Sequence, residues 1–164
     1  MKLQRSIGVL ALAGAAMTLA IGAAAPATTT AAPANCSGSK SDTWLNVVVE
    51  NVRSGDGQIA VTLYADNASK FLAKRGSLYV GRVPAKAGAT RMCLHLPKTG
   101  VYALAVYHDI DGDRSFDRTG LGLPAEGYGF SNNASTLAGL PTFASVRLNI
   151  PRNNMTTRIR LKYP

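Results

Sequence analysis

Residues 44–63, WLNVVVENVRSGDGQIAVTL, contain two apolar runs separated by a short polar segment. Within each run every second residue is aliphatic, which is the spacing of a β-strand with one buried face. The residues on these two faces are Leu45, Val47, Val49, Ile59, Val61 and Leu63. The turn residues Ser54 to Gly57 lie between the runs, and they predict that the two strands form a hairpin.

Similar short apolar runs recur five more times along the chain. They lie at residues 78–83, 90–96, 101–107, 146–150 and 158–163. The run 101–107, VYALAVY, is apolar on both faces, as expected for a central strand. About seven short strands separated by turn signals predict an all-β fold, a single β-sandwich of the immunoglobulin or transthyretin kind with one long acidic loop.

The first 34 residues have the pattern of a secretory signal peptide and its cleavage region. Two basic residues precede the stretch from Ile7 to Ala25, which carries no charge. Two Ala-Pro-Ala frames, 25–27 and 32–34, fit the small-x-small cleavage pattern. A retained membrane anchor is the alternative, because about 19 uncharged residues just span a bilayer. The Ala- and Gly-rich composition favours cleavage, which predicts a periplasmic or secreted protein with no transmembrane segment after cleavage.

The exported chain is expected to be one basic domain. Removal of Lys2 and Arg5 with the signal lowers the net charge from +9 to +7. Residues 35–41 are mostly small and polar, so they predict a flexible lead-in. Residues 42–164 form the predicted β-sandwich domain, which is long enough to bury a core of its own.

Cys36 and Cys93 are the only two cysteines in the sequence. An exported chain meets an oxidising environment, so we expect a disulfide between them. Strand alternation directs Cys93 away from the apolar face of its run. Two free thiols are the alternative, because two cysteines alone do not prove a pairing.

The loop from His108 to Asn133 is the most informative segment for function. Its first part, HDIDGDRSFD, places oxygen ligands at positions 1, 3, 5, 7 and 9 of a calcium-loop register. The residues at these positions are Asp109, Asp111, Asp113, Ser115 (through its backbone carbonyl) and Asp117. Four carboxylates within nine residues repel one another unless a cation lies between them. The sequence therefore predicts a calcium site in this loop.

Two positions depart from the EF-hand pattern. Arg114 occupies the position of the turn glycine, and Gly120 occupies that of the bidentate glutamate. Glu126, further along the loop, is the candidate for the missing ligand. The alternative is a solvated acidic turn in which Asp109 and Asp117 accept backbone hydrogen bonds and nearby arginines balance the charge.

The run HDxDGDxxxD, the segment GLGLPAEGYGFSNN and the Pro-x-Phe at 141–143 resemble an exported bacterial family catalogued as domain of unknown function 2141. The resemblance extends from about Leu45 to Tyr163. It implies a small secreted or periplasmic β-sandwich with no assigned activity, and it implies Gly where this chain has Arg114. The positions that it matches in the loop are Asp109, Asp111, Asp113, Asp117, Gly122, Pro124, Glu126, Tyr128, Gly129, Phe130 and Ser131.

The second half of the loop has two interpretations. Tyr128, Phe130, Asn132 and Asn133 can present a recognition surface to a sugar or peptide. Alternatively, the two aromatic residues pin the loop to the end of the sandwich, and compact long loops are usually packed by their own side chains in this way. We favour the anchored loop.

The sequence offers two further candidate functions. Arg147, Arg158, Arg160 and Lys162 predict a basic strand face for an anionic envelope component, or an edge strand that positive charge protects from pairing with other chains. Few aromatic residues accompany these charges, so nucleic acid is not an expected partner. A metal-assisted hydrolase would depend on His108, and we expect no enzyme because no nucleophile or second histidine accompanies it.

Overall fold

The computed structural model of the protein describes residues 31–136 and 139–164. Eight strands dominate this part of the chain, which confirms the predicted all-β class. In order they are β1 (Thr43–Val52), β2 (Gln58–Ala65), β3 (Tyr79–Pro84), β4 (Gly88–Leu96), β5 (Gly100–Asp109), β6 (Gly127–Phe130), β7 (Leu148–Ile150) and β8 (Met155–Arg160). A 3-10 turn, Ser131–Asn133, and one short helix, α1 (Phe143–Val146), lie between β6 and β7.

The strands form two sheets that face each other as a β-sandwich. The smaller sheet has the order β4-β1-β8, and the larger has the order β3-β2-β5-β6 with β7 also paired to β5. Tyr128 and Lys162 exchange two backbone hydrogen bonds of 2.8 and 2.9 Å, which connect β6 to the chain that follows β8. This contact joins the two sheets along one side of the sandwich.

The predicted hairpin between the first two runs is wrong. β1 pairs with β4 and with β8, whereas β2 pairs with β3 and with β5, so the two strands lie in different sheets. Their aliphatic faces line the same core from opposite sides. Alternation specifies which face of a strand is buried, but it does not specify the neighbouring strand.

The core lies between the sheets and uses the alternating residues that the sequence indicates. Those fully or nearly fully buried include Leu45, Val47, Val49, Ile59, Val61, Leu63, Leu94, Leu96, Leu104 and Val106. β5 is central, as predicted, because β2 pairs with one of its edges while β6 and β7 share the other. Val146, which was expected to begin a strand, lies instead in α1 and is buried in a second, smaller cluster.

A disulfide joins Cys36 to Cys93 on β4, as predicted. Residues 35–41, the predicted lead-in, lie beside this strand: Ser37 donates its N–H to the Cys93 carbonyl and accepts from the His95 N–H, both at 2.8 Å. The disulfide closes a separation of 57 residues, for which the chain-entropy model gives about 4 kcal/mol of stabilisation. The signal peptide predicted within residues 1–34 lies almost wholly outside the described residues. No helix in the described ranges is long and apolar enough to cross a membrane.

His108 is fully buried on the core side of β5, and both of its ring nitrogens are hydrogen-bonded. Its Nε2 lies 2.8 Å from the Asp56 carbonyl oxygen, which only accepts, so Nε2 carries the proton. Nδ1 then accepts from the Tyr163 hydroxyl at 2.8 Å, and the Tyr163 oxygen accepts from the Arg53 N–H at 2.9 Å. This histidine therefore ties the β1–β2 connection to the C-terminal segment.

Replacing Tyr163 with phenylalanine is expected to lower the free energy of unfolding by about 1–3 kcal/mol, because it leaves the buried Nδ1 of His108 without a donor. Urea denaturation of the variant and of wild type measures this loss. Tyr128→Phe is the matched control, since the Tyr128 hydroxyl makes only a long contact of 3.5 Å with Thr136. Equal stability of Tyr163→Phe and wild type would contradict the assigned network.

Candidate functional site

The acidic loop begins where β5 ends. Side chains alternate along β5, so His108 points into the core while Asp109 lies on the outer face of the sheet, beyond Ala105 and Tyr107. The loop then folds back over Asp109, whose exposed fraction is 0%. A strand end thus becomes the buried floor of a loop that carries three more aspartates.

The pairing of β5 with β6 brings Glu126 to the same place. His108 lies opposite Gly127 in this antiparallel ladder, so the next positions outward, Asp109 and Glu126, also face each other. Glu126 is 5% exposed, and it accepts from the Ile110 N–H through Oε1 and from the Asp117 N–H through Oε2, both at 3.1 Å. Both ends of the acidic segment are therefore fixed to one carboxylate.

Carboxylate oxygens gather in two overlapping groups. Asp109, Asp111 and Glu126 each place one oxygen within 4.8 Å of the others, and Asp111, Asp113 and Asp117 form a second such group. Asp111 belongs to both. The structure therefore brings together all five carboxylates of the predicted metal set. Ser115, the sixth member, is exposed beside Asp113, and its own N–H donates to the Asp113 carboxylate at 2.7 Å.

One oxygen of Asp109 stands apart from the others. Its Oδ2 accepts from the Arg114 N–H at 3.1 Å, whereas Oδ1 is buried and has no hydrogen-bond partner among the residues that the structure describes. Buried carboxylate oxygens are ordinarily satisfied by a donor or a cation. The orphaned oxygen belongs to the same carboxylate that approaches Asp111 and Glu126.

Arg114 fits the loop through its backbone rather than its side chain. Its φ of 70° lies in the left-handed region, which glycine adopts most easily. Its carbonyl accepts from the Tyr107 hydroxyl at 3.1 Å and from the Arg82 guanidinium at 3.3 Å. These bonds fasten the tip of the loop to the outer face of the large sheet.

Burial and mutual repulsion both act on the carboxyl groups of the loop. Burial raises the pKa of Glu126 above its usual range, and the charges of Asp117 and Asp109 add to this effect, while the two backbone N–H donors oppose it. Desolvation likewise raises the pKa of Asp117, with Asp113, Asp111 and Asp109 contributing through repulsion. A positive charge placed among these carboxylates would offset their mutual repulsion.

The glycines of the segment GYGF are required by close packing. A Cβ on Gly127 would lie 2.3 Å from the Tyr163 ring, and one on Gly129 would lie 2.9 Å from the Arg160 carbonyl oxygen. Only glycine lets β6 approach the C-terminal segment this closely. β6 was not predicted from the sequence, because four residues with two glycines give a poor strand signal.

The predicted recognition residues mostly hold the loop in place. Phe130 is buried in the smaller apolar cluster, and Tyr128 is half-buried beside it. The Asn132 amide donates to the carbonyls of Ser145 and Arg147, and the Asn133 side chain accepts from the Arg160 N–H at 2.7 Å. These contacts correspond to the anchored-loop interpretation.

The predicted basic face is partly neutralised. Arg147 makes a bidentate ion pair with Asp66, and Arg158 pairs with Glu50 at 2.7 Å. Arg160 and Lys162 lie near each other at the end of β8 and border a shallow depression next to Tyr128. Arg147 lies beyond α1 rather than on β8, so the four cations do not form one continuous stripe.

The family model described as "Uncharacterized protein conserved in bacteria (DUF2141)" matches residues 47–158. The chain belongs to this family. The match begins within β1 and ends within β8, so the DUF2141 domain of this chain contains the acidic loop and nearly all of the sandwich. No curated protein and no solved structure matches the chain.

Glu126 generates a prediction for the metal-free protein. Its pKa is higher folded than unfolded, so its contribution to stability is fully present below the unfolded value and is lost as pH rises through the folded value. In excess chelator, wild type is therefore expected to lose stability relative to Glu126→Gln as pH rises from about 4, the usual glutamate pKa, toward neutrality. Urea denaturation across this range measures the difference. A difference that is constant with pH would contradict the prediction.

Proposed function

We propose that this DUF2141 protein is an exported binding or structural module whose acidic loop is rigidified by calcium. The observation that carries the proposal is the buried Oδ1 of Asp109, which lacks a described hydrogen-bond partner while its carboxylate lies among those of Asp111 and Glu126. A cation beside this oxygen satisfies it and also offsets the repulsion between the carboxylates.

Calcium is the ion that this set of ligands favours. The side-chain ligands offered by the loop are all carboxylates, which suit a hard cation. Calcium accepts six to eight oxygens in irregular geometry, whereas magnesium requires near-ideal octahedral geometry. Carboxylates contributed by the end of β5 and by the loop that follows it match the more tolerant ion.

A bound ion would connect segments that are distant in the chain. Asp109 ends β5, Glu126 precedes β6, and the intervening aspartates belong to the loop that covers one end of the large sheet. Calcium would therefore hold the loop against the sandwich in one arrangement. Binding residues are often carried by loops that a rigid scaffold positions.

Export is supported by two features. The first 34 residues have the n-region, apolar stretch and small-residue frames of a secretory signal. The Cys36–Cys93 disulfide suits an oxidising compartment, such as the periplasm or the cell exterior. Calcium-binding modules outside the cell bind the ion more weakly than intracellular sites do. We expect the acidic loop to have an affinity in that extracellular range.

The protein is expressed with its own leader, and mass spectrometry of its N-terminus shows whether the leader has been cleaved. A thermal melt of the oxidised protein then tests the calcium site. At calcium concentrations a hundredfold above the dissociation constant, ion binding should stabilise the protein by about 2.7 kcal/mol relative to excess chelator. That corresponds to a rise in Tm of roughly 10 °C for a domain of this size. Magnesium should give a smaller shift.

The decisive variant is Asp111→Ala with Asp113→Ala, which removes ligands from both carboxylate groups. It should lose the calcium-dependent rise in Tm, while the matched control Asp42→Ala with Asp66→Ala, at exposed positions near the opposite end of the sandwich, should retain it. Wild type that melts at the same temperature in chelator, calcium and magnesium would refute the proposal.

Arg114→Gly is expected to improve the site. Glycine relieves the left-handed backbone at this position, which raises the metal-free stability by up to about 1 kcal/mol, and loss of the positive charge strengthens calcium binding several-fold. Arg114→Gln separates the two effects, because it removes the charge and keeps the side chain. Calcium titration and thermal melts of both variants provide the measurement. If Gly and Gln give equal metal-free stability, the backbone argument is incorrect.

The two rival functions have distinct signatures. A hydrolase that used His108 would need a free ring nitrogen, but both nitrogens are engaged inside the core. Binding of an anionic envelope component through Arg160 and Lys162 would be released by high salt and would be insensitive to chelator. A pull-down on purified envelope fractions at two salt concentrations, with and without chelator, distinguishes this rival from the calcium module.

A further inference from the structure

The outer face of the large sheet carries a gap that aromatic side chains border. Its floor is the cross-strand pair of Thr62 and Ala105, the smallest residues on this part of the face. The acidic loop contributes Phe116 to its wall, and β6 contributes Tyr128 and Phe130 to the same wall. The cavity has a volume of about 610 Å³, within the range of small-molecule sites.

The aromatic rings around the gap form a continuous run. Successive ring pairs meet edge to face at centroid distances between 5.3 and 6.2 Å. In order the rings are Tyr107, Phe116, Tyr128, Phe130, Phe71 and Tyr64. Such contacts hold aromatic side chains in place without filling the space between them. The gap is therefore a preformed feature of this face.

The rim of the gap is unusually apolar for an exposed surface. Leu123 on the acidic loop is 61% exposed, and Leu140 and Leu72 on the other side are 65% and 37% exposed. Large apolar side chains grouped around a concave surface mark a site where apolar surface is buried on binding. A sugar would need several polar partners here, whereas an acyl chain matches both the rim and the wall.

One charged residue borders the cavity. Arg118 lies with its guanidinium carbon 5.2 Å from the centre of the Phe116 ring and donates from Nη1 to the Gly122 carbonyl at 2.9 Å. That bond uses one of the five N–H groups of a guanidinium, whose planar fork suits a carboxylate. No acidic residue lines this cavity in the part of the chain that the structure describes. The positive charge of Arg118 therefore favours a ligand with an anionic group over a neutral one.

We infer that this gap binds a single-chain anionic amphiphile, with the acyl chain against the aromatic wall above Thr62 and Ala105 and the carboxylate at Arg118. The site differs from the carboxylate cluster, because none of the five clustered carboxylate residues lines the cavity. Calcium at that cluster would reduce repulsion of the ligand's carboxylate by Asp117 and would fix the wall. Only this coupling to calcium rests on the proposed function.

The test uses decanoate as the ligand. It is titrated into the purified protein by isothermal titration calorimetry in excess chelator. A second titration uses calcium below the concentration that precipitates decanoate. Binding in both conditions, or in calcium alone, supports the pocket. Absence of binding in both refutes the amphiphile proposal, and a calcium-dependent Tm shift in the same sample shows that the calcium site survives that failure.

Matched variants identify the site. Ala105→Leu fills the floor and should weaken decanoate binding at least tenfold, roughly the effect of losing one buried side-chain contact. Leu123→Ser should weaken it about threefold to tenfold, whereas Leu121→Ser, 89% exposed on the same loop and outside the cavity, should leave it unchanged. Because Leu123 is exposed, its variant keeps the test valid if Ala105→Leu does not fold.

Head-group recognition has its own pair of variants. Arg118→Gln should weaken decanoate binding about fivefold and should remove its advantage over 1-decanol, whereas Arg91→Gln on the outer surface of the other sheet should change neither. Equal affinity of wild type for decanoate and 1-decanol would overturn the assignment of Arg118. Sedimentation that shows self-association of wild type, abolished by Leu123→Ser, would assign the apolar rim to a second copy of the chain and also overturn the proposal.

Discussion

Strand β5 is the constraint on which the rest of the structure depends. Its inner face supplies Leu104, Val106 and His108 to the core, while its outer face supplies Ala105 and Tyr107 to the surface beneath the acidic loop. Its two edges carry β2 on one side and β6 with β7 on the other. The strand ends at Asp109. This one segment therefore sets the positions of the core, the outer face and the acidic loop.

Burial of Asp109 makes the end of β5 part of the candidate metal site. A carboxylate at a strand end is normally solvated, but here the loop and Glu126 cover it and leave one oxygen without a described partner. Glu126 satisfies two backbone N–H groups and so orders the loop, yet its own charge adds to the repulsion. A cation shared among these carboxylates, as proposed above, would offset their repulsion and stabilise the fold.

The sequence predicts burial much better than it predicts pairing. Alternation identified the buried residues of β1, β2, β4 and β8, because apolar periodicity follows directly from the pleat of a strand. It could not identify strand partners, so the hairpin between β1 and β2 was wrong. β6 was missed because its glycines serve close packing against Tyr163 and Arg160, and that packing partner lies more than thirty residues away.

Within the candidate site, the grouping of the four aspartates could be predicted from the sequence more securely than the approach of Glu126. The spacing of the four aspartates is a local pattern, and the loop brings them together as that spacing requires. The approach of Glu126 depends on the register of β5 against β6, which no short motif encodes. The aromatic gap was not anticipated at all, since it is formed by residues from β2, β5, β6 and three loops.

The most direct test of the account is a crystal structure of the purified protein grown with calcium, with anomalous scattering used to locate the ion. The account predicts an anomalous peak about 2.3–2.6 Å from Oδ1 of Asp109, with Asp111 and Glu126 among its other ligands. A structure in which Oδ1 of Asp109 is instead satisfied by a water molecule or by an arginine, with no anomalous peak in the loop, would contradict it.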